Sequence, residues 1–433
     1  MLRTLAPRFA AALALAALPV QLAAQTPEAQ EADAAAGKLE ASAEGVVSVL
    51  RGERPAAEVF SPAFLAAVSE GQLKAMTQQL TAQFGALQGL ESVTPATPSA
   101  ATIAVRFEKA IARGPMQLDA DGLVIGLRLD QFDPIDDSAD KIAADLAALP
   151  GEAGAYYAPL AEGSEPILAL DADQQFAIGS TFKLYVLSAL ARQIAAGEHS
   201  WDEVVPLEVR SLPSGMTQNW PEGAPVTLHT LATLMISISD NTATDQLIAI
   251  VGREAIAAEL RASGHAKPER TLPLLTTLEL SGLKGDLARG QAYAAASEAE
   301  QARLLDAFAA EIAGDPDNIV KPTFSAPTAI DTLEWFASGR DLAGLLRRIV
   351  ALEDPTAREI MTVSPAVPAP ERGEWSYIGH KGGSEPGVLN LTWLLRSKAG
   401  EWRVLSLSWN NPAAPVEPGT LDLIAQRIMS LEP

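Results

Sequence analysis

The sequence contains no cysteine. Disulfide staples, thiolate nucleophiles, cysteine-held metal clusters and lipid attachment through a thiol are therefore excluded. Histidine is scarce as well. His199, His229, His265 and His380 show no H-x-x-x-H or H-E-x-x-H spacing, so no metal site is expected. Glycine-rich phosphate loops of the G-x-x-x-x-G-K-[ST] kind are missing, and no G-x-G-x-x-G follows a strand, so no nucleotide and no cofactor is expected.

Positive charge is also short. Thirty-two Lys and Arg face 54 Asp and Glu, a formal charge of −22. Such a balance argues against nucleic acid and anionic membrane surfaces as partners. It leaves a small anionic substrate open, because one local lysine overrides the mean field. Beyond the first residues no apolar run is long enough to cross a bilayer, which takes about 20 residues. Met1 to Arg8 is cationic, Phe9 to Val20 is Ala/Leu-rich, and Gln21-Leu-Ala-Ala24 ends on a small residue. This reads as a secretory signal peptide over 1–24, and hence a periplasmic or secreted protein without membrane insertion. Losing Arg3 and Arg8 would take the charge to −24. Nothing in the composition speaks to oligomeric state.

What is present is a 48% hydrophobic chain of 433 residues, enough for two or three domains with real cores. Residues 25–37, rich in Ala, Glu and Gln, read as a flexible lead. Residues 38–130 begin with helical periodicity (Val46, Val47, Val49, Leu50; Leu73, Met76, Leu80, Phe84) and then alternate over Ala101–Glu108 and Leu123–Leu129, across an Asp121-Gly122 turn. Helices followed by a small antiparallel sheet predict an α+β domain of its own. Its Glu108 and Asp119 read as solvated strand charges rather than an acid/base pair. Gln131–Ser138 is the natural linker (131–139), and 140–433 forms the second domain. There a hairpin is expected over Ala155–Ala158 and Pro166–Asp171. An almost wholly helical stretch runs from Thr181 to about Ile360, with loops near 206–226 and 267–275. Strands follow at Trp375–His380, Leu389–Arg396 and Trp402–Trp409, and Thr420–Met429 is a closing helix. Strands from both ends of a domain around a helical middle imply one antiparallel sheet.

Three short segments carry chemistry. In Phe176-Ala-Ile-Gly-Ser-Thr-Phe-Lys183 the hydroxyl of Ser180 is followed three residues later by an amine, on the same helical face. Gly179 permits a sharp turn, and a helix start leaves N–H groups free to hold an oxyanion. The alternative is an N-capped amphipathic helix with a solvated lysine. At Ser239-Asp-Asn241 one helix ends and another begins. Ser239 could aim its hydroxyl at a leaving group and at Lys183, with Asn241 orienting the lysine; the alternative is a simple N-cap. Lys381-Gly-Gly-Ser384 follows a strand, where Lys381 would line a cleft wall. Gly382 and Gly383 would let a substrate lie against the backbone, and the Ser384 N–H would complete an oxyanion hole with that of Ser180; the alternative is a turn. Trp220, beside Pro221, is either a cleft wall or ordinary packing. Tyr185 reads as core.

In this order, S-x-x-K, S-D-N and K-G-G resemble the penicillin-recognising serine enzymes, and among them the class A β-lactamases. The resemblance covers roughly Asp140 to Pro433. It implies a helical subdomain packed on a five-stranded antiparallel sheet, with Ser180 acylated by a β-lactam or an acyl-D-Ala-like ester or amide. Lys183 would be the base, Ser239 the proton shuttle, and Lys381 with Ser384 the holders of the substrate carboxylate. Two departures stand out. The hydroxyl that usually follows the lysine is missing at Gly382. No E-x-x-L-N occurs between Asn241 and Lys381, where class A enzymes carry the glutamate that activates the deacylating water. Over Arg270–Lys284 the middle carboxylate is Glu279, read as a weak candidate for that role or as a helix-start carboxylate. The alternative to a hydrolase is thus a penicillin- or peptidoglycan-binding sensor or scaffold that acylates and barely turns over. With Pro213-Ser-Gly215, Trp220-Pro221, Pro273–Thr277 and Lys381–Gly387, the chain is more narrowly similar to the two-domain β-lactamase-like proteins of clavulanic acid biosynthesis. That likeness implies a ketosteroid-isomerase-like front domain and cephalosporin ester hydrolysis.

Overall fold

The computed structural model describes residues 27–313, 315–367 and 373–431, with side chains from residue 34 onward. The expected signal peptide lies outside the described residues. The chain forms two compact units. One draws on residues up to Ala75 together with Ser92–Ile103 and Pro115–Leu127. The other comprises Met76–Glu91, Ala104–Gly114 and Arg128–Pro433.

In the first unit a helix runs over Pro27–Leu50, followed by a short one over Pro62–Ala67. Of the flexible lead expected over 25–37, the described residues from Pro27 onward are helical. Alanine and glutamate are strong helix formers, and Pro27 sits at the helix start, where its missing N–H costs nothing. Leu39, Ala43, Val46, Val47 and Phe60 form the core of this unit. Lys38 Nζ and Ser42 Oγ donate to the carbonyls of Ala120 and Gly122, pinning the helix to the turn read from Asp121-Gly122.

The second unit holds the sheet that matters for function. Its strand order is Trp375–Glu385, Val388–Ser397, Trp402–Asn410, Glu152–Pro159, Leu168–Leu170, antiparallel throughout. The chain is thus a mixed α/β fold with the five-stranded sheet implied by its strands. Tyr157, Leu391, Trp393, Leu405 and Leu407 face the helices Ala139–Ala147 and Pro418–Met429. From the other face Tyr156, Ala158, Leu394 and Val404 join the large helical core. Burial on both faces explains why Val388–Leu395 reads as nearly continuous apolar sequence.

Two readings need correction here. Gln131–Pro134, assigned to a linker, is a strand paired with Ala110–Arg113 within the second unit. The stretch between Ile312 and Phe336, read as part of a helical region, holds only a three-residue 3₁₀ turn at Pro316–Asn318 among its described residues. Pro316, Pro322 and Pro327 each remove a backbone donor, and together they forbid a long helix.

Candidate active site

Gly179–Phe182 form a single 3₁₀ turn that runs directly into the helix Lys183–Ala195. Three residues per turn places Ser180 and Lys183 one above the other. Gly179 adopts φ +48°, a region costly for side chains. The turn is clamped from behind. Ile178 N donates to Trp335 O at 2.9 Å, and the Phe182 ring stacks on the Trp335 indole with centroids 3.8 Å apart. Trp335 is itself held by its Nε1 donating to Leu275 O. Ser180 is left half-buried at the surface of this assembly, while Lys183 is completely buried beneath it.

The second segment is organised by Asp240, fully buried at the start of the helix Asn241–Val251. Its carboxylate accepts from the N–H groups of Ala243, Met216 and Thr217 and from the Thr217 hydroxyl. A Cβ on Gly215 would stand 2.3 Å from Asp240 Cγ, which is why the approaching loop carries glycine there. With both flanks fixed, Ser239 is held at φ +58°, an uncommon conformation for a residue with a side chain. Its carbonyl accepts from Lys183 Nζ at 2.7 Å and from Ser214 Oγ. Lys183 Nζ also lies 2.7 Å from Asn241 Oδ1 and 3.1 Å from Ser239 Oγ. The Asn241 amide is oriented by Nδ2 donating to Leu212 O.

The third segment is the edge strand Trp375–Glu385. Lys381 is 3% exposed and places Nζ 3.2 Å from Ser239 Oγ, with a second bond to Gly382 O. Ser239 thus bridges the two lysines. Burial pushes Lys381 down to about 7. Burial also holds Lys183 well below the ordinary lysine value, reinforced by the like charge of Lys381 and opposed by Asp245 and Asp240. Gly383 also has a packing role. A Cβ there would stand 2.1 Å from Ile178 O and 2.4 Å from Ser180 N, so its bare backbone lets the strand lie against the serine turn. Ser384 N lies 3.1 Å from where a Cβ on Gly179 would be, which brings the two expected oxyanion donors to one place.

A cleft of about 300 Å³ opens over Ser180. Asn241, Ser214, Thr277, Leu280, Trp335 and Ser384 line it, with the exposed ring of Phe324 and the carboxylates of Glu334 and Glu385. Lys183, Ser239, Lys381, Gly382, Gly383, Trp220 and Glu279 are not in its lining. Trp220 packs half-buried against the helical core, with its carbonyl accepting from Arg210. Glu279 closes a capping box with Thr276 and pairs with Arg253, facing a different cavity. Gly382 packs inside the sheet near Asn390 O and the His380 ring. Sequence reasoning missed Glu334, Glu385 and Lys284. One signal was available: Glu385 stands two residues past Gly383, on the strand face that also carries Lys381.

Residues 137–362 match the sequence profile described as the Beta-lactamase enzyme family. Among curated proteins none matches the chain. Similar solved structures include a β-lactamase from Sphaerobacter thermophilus, 23% identical, covering 68% of this chain and 94% of that one with a TM-score of 0.48. PBP-A is 20% identical over 68% and 92% of the two chains (TM-score 0.45). A β-lactamase from Chitinophaga pinensis is 17% identical over 68% and 96% (TM-score 0.44).

Proposed function

The chain belongs to the β-lactamase enzyme family, and from that membership together with the surroundings of Ser180 we propose a serine hydrolase that works through an acyl-enzyme. Its substrates are β-lactams or related esters and amides, with cephalosporin esters among them. The observation that carries this reading is the setting of Lys183, completely buried with Nζ held by Ser239 O and Asn241 Oδ1. Burial and Lys381 favour its neutral amine, which has two N–H donors and one lone pair. Ser239 O and Asn241 Oδ1 can only accept, so they take both donors. The lone pair is left for a hydroxyl.

In acylation Lys183 takes the proton of Ser180 as Oγ bonds to the substrate carbonyl carbon. The N–H groups of Ser180 and Ser384 hold the oxyanion. Ser239, between the two lysines, passes the proton to the leaving nitrogen or oxygen, while Lys381 and the Ser384 hydroxyl bind the substrate carboxylate. Glu279 has no part in these steps, since Thr276 and Arg253 occupy its carboxylate. That engagement favours a second reading, a sensor or scaffold that stays acylated. Intact-protein mass spectrometry with a penicillin and a cephalosporin separates the two: a transient adduct on Ser180 with product release is the hydrolase outcome, and a permanent adduct the sensor. Ser180→Ala and Lys183→Ala should each abolish turnover of a chromogenic cephalosporin; full activity in either refutes the roles given. The same proposal places the protein in the periplasm or outside the cell and likens its front domain to ketosteroid isomerase.

A further inference from the structure

A second buried charge cluster borders the cleft over Ser180. Lys284 Nζ lies 2.8 Å from Glu334 Oε1 and also bonds Glu385 Oε1. The side chains of Lys284 and Glu334 are 0% and 1% exposed, and that of Glu385 is 12% exposed where it meets the cleft. Its place follows from the strand. Lys381, Gly383 and Glu385 alternate onto one face, and Gly383 lies against Ser180 N. Ser180 therefore sits at the register between Lys381 on one side and Glu385 on the other, each about 7 Å along the strand. Two carboxylates and one ammonium leave one negative charge if both acids ionise. Burial, and then the neighbouring Glu334 charge, push Glu385 up to about 8 against the pull of Lys284. Burial works against the Lys284 charge, but the two carboxylates outweigh it and keep the ammonium.

We propose that the Glu334–Glu385 pair, balanced by Lys284, accepts the proton of the water that hydrolyses the acyl group from Ser180. The inference rests on the hydrolase reading. Water oxygen bonds to the acyl carbon, and its proton passes to the Glu334–Glu385 pair. Collapse breaks the carbon–Oγ bond, and the proton held by the pair returns to Oγ, which restores the pair. The leaving group is protonated on the Lys381 side of Ser180, and water is activated on the Glu385 side.

The test is Glu385→Gln, which mimics the protonated acid and leaves Glu334 to balance Lys284. Ser180 should be labelled by a chromogenic cephalosporin as fast as in the unchanged chain. Product release should fall by about 10²–10⁴-fold, so that the adduct accumulates in intact-mass spectra. Glu334→Gln carries the same expectation and serves if Glu385→Gln does not fold. A folded variant whose adduct clears at the unchanged rate overturns the proposal and leaves the cluster structural. If the unchanged chain forms neither adduct nor product, the serine-hydrolase reading itself fails, and the proposal with it.

Discussion

Gly383→Ala should separate fold from chemistry. The added Cβ would stand 2.1 Å from Ile178 O, 2.4 Å from Ser180 N and 2.7 Å from Thr181 N, where ordinary contact begins at 3.4 Å. All three are backbone atoms, so no side chain can rotate out of the way. Strand and turn must part by roughly 1 Å, a misplacement that costs about 10²-fold in a positioned reaction. The Ser180 N–H is also one of the two proposed oxyanion donors, and losing such a donor costs about 10²–10³ in rate. Acylation of Ser180 should therefore fall by about 10²–10³. The control is Gly382→Ala, one residue earlier. There the nearest atoms would be Asn390 O at 3.3 Å and the His380 ring at 3.4 Å, so neighbours shift by a few tenths of an ångström at most. Stopped-flow acylation by a chromogenic cephalosporin, with urea unfolding of both variants alongside, makes the comparison. If Gly383→Ala acylates as fast as Gly382→Ala, strand and turn do not meet as described.

Phe182→Ala removes the ring stacked on Trp335 and should cost about 3–5 kcal/mol in urea unfolding, with the serine turn loosened; a loss under about 1 kcal/mol would refute the clamp. Lys381→Met should raise stability in a pH-dependent way. The folded lysine sits at about 7 while the unfolded one has its ordinary 10.5, so the unfolded chain binds more protons between those values. The penalty is full below pH 7, on the order of 5 kcal/mol at most, and fades as pH rises toward the ordinary lysine value. Unfolding free energies measured from pH 6 to 10 should show the gap between variant and unchanged chain closing with pH; a constant gap refutes the burial account.

Much of the second unit was legible because each of its parts is decided by a few neighbouring residues. Leu389–Arg396 and Trp402–Trp409 carry the apolar content of a sheet buried on both faces, and both are strands at nearly those bounds. Ser180 with Lys183, and Ser239 with Asn241, are local pairs whose spacing already places them on one turn or at one corner. Residues 131–134 misled for the converse reason: a Phe-Asp-Pro run carries weak local preference and is ordered by its pairing with Ala110–Arg113.

The carboxylate end of the cleft was hidden for a different physical reason. Lys284 meets Glu334 across 50 residues and Glu385 across 101, and nothing local marks them as partners. In a chain with 54 acids and 32 basic residues, almost any carboxylate has a candidate cation by composition alone. Only burial distinguishes this pairing. On the surface such a contact contributes about 0–1 kcal/mol and screens away, whereas inside it must form or the desolvated ammonium costs several kcal/mol. The same burial that pushes Glu385 upward depresses Lys183 and Lys381, so one physical cause prepares both ends of the cleft. At the lysine end it frees a lone pair by disfavouring the ammonium. At the carboxylate end it raises Glu385 by disfavouring a second negative charge, which suits the pair to take up the proton of a hydrolytic water.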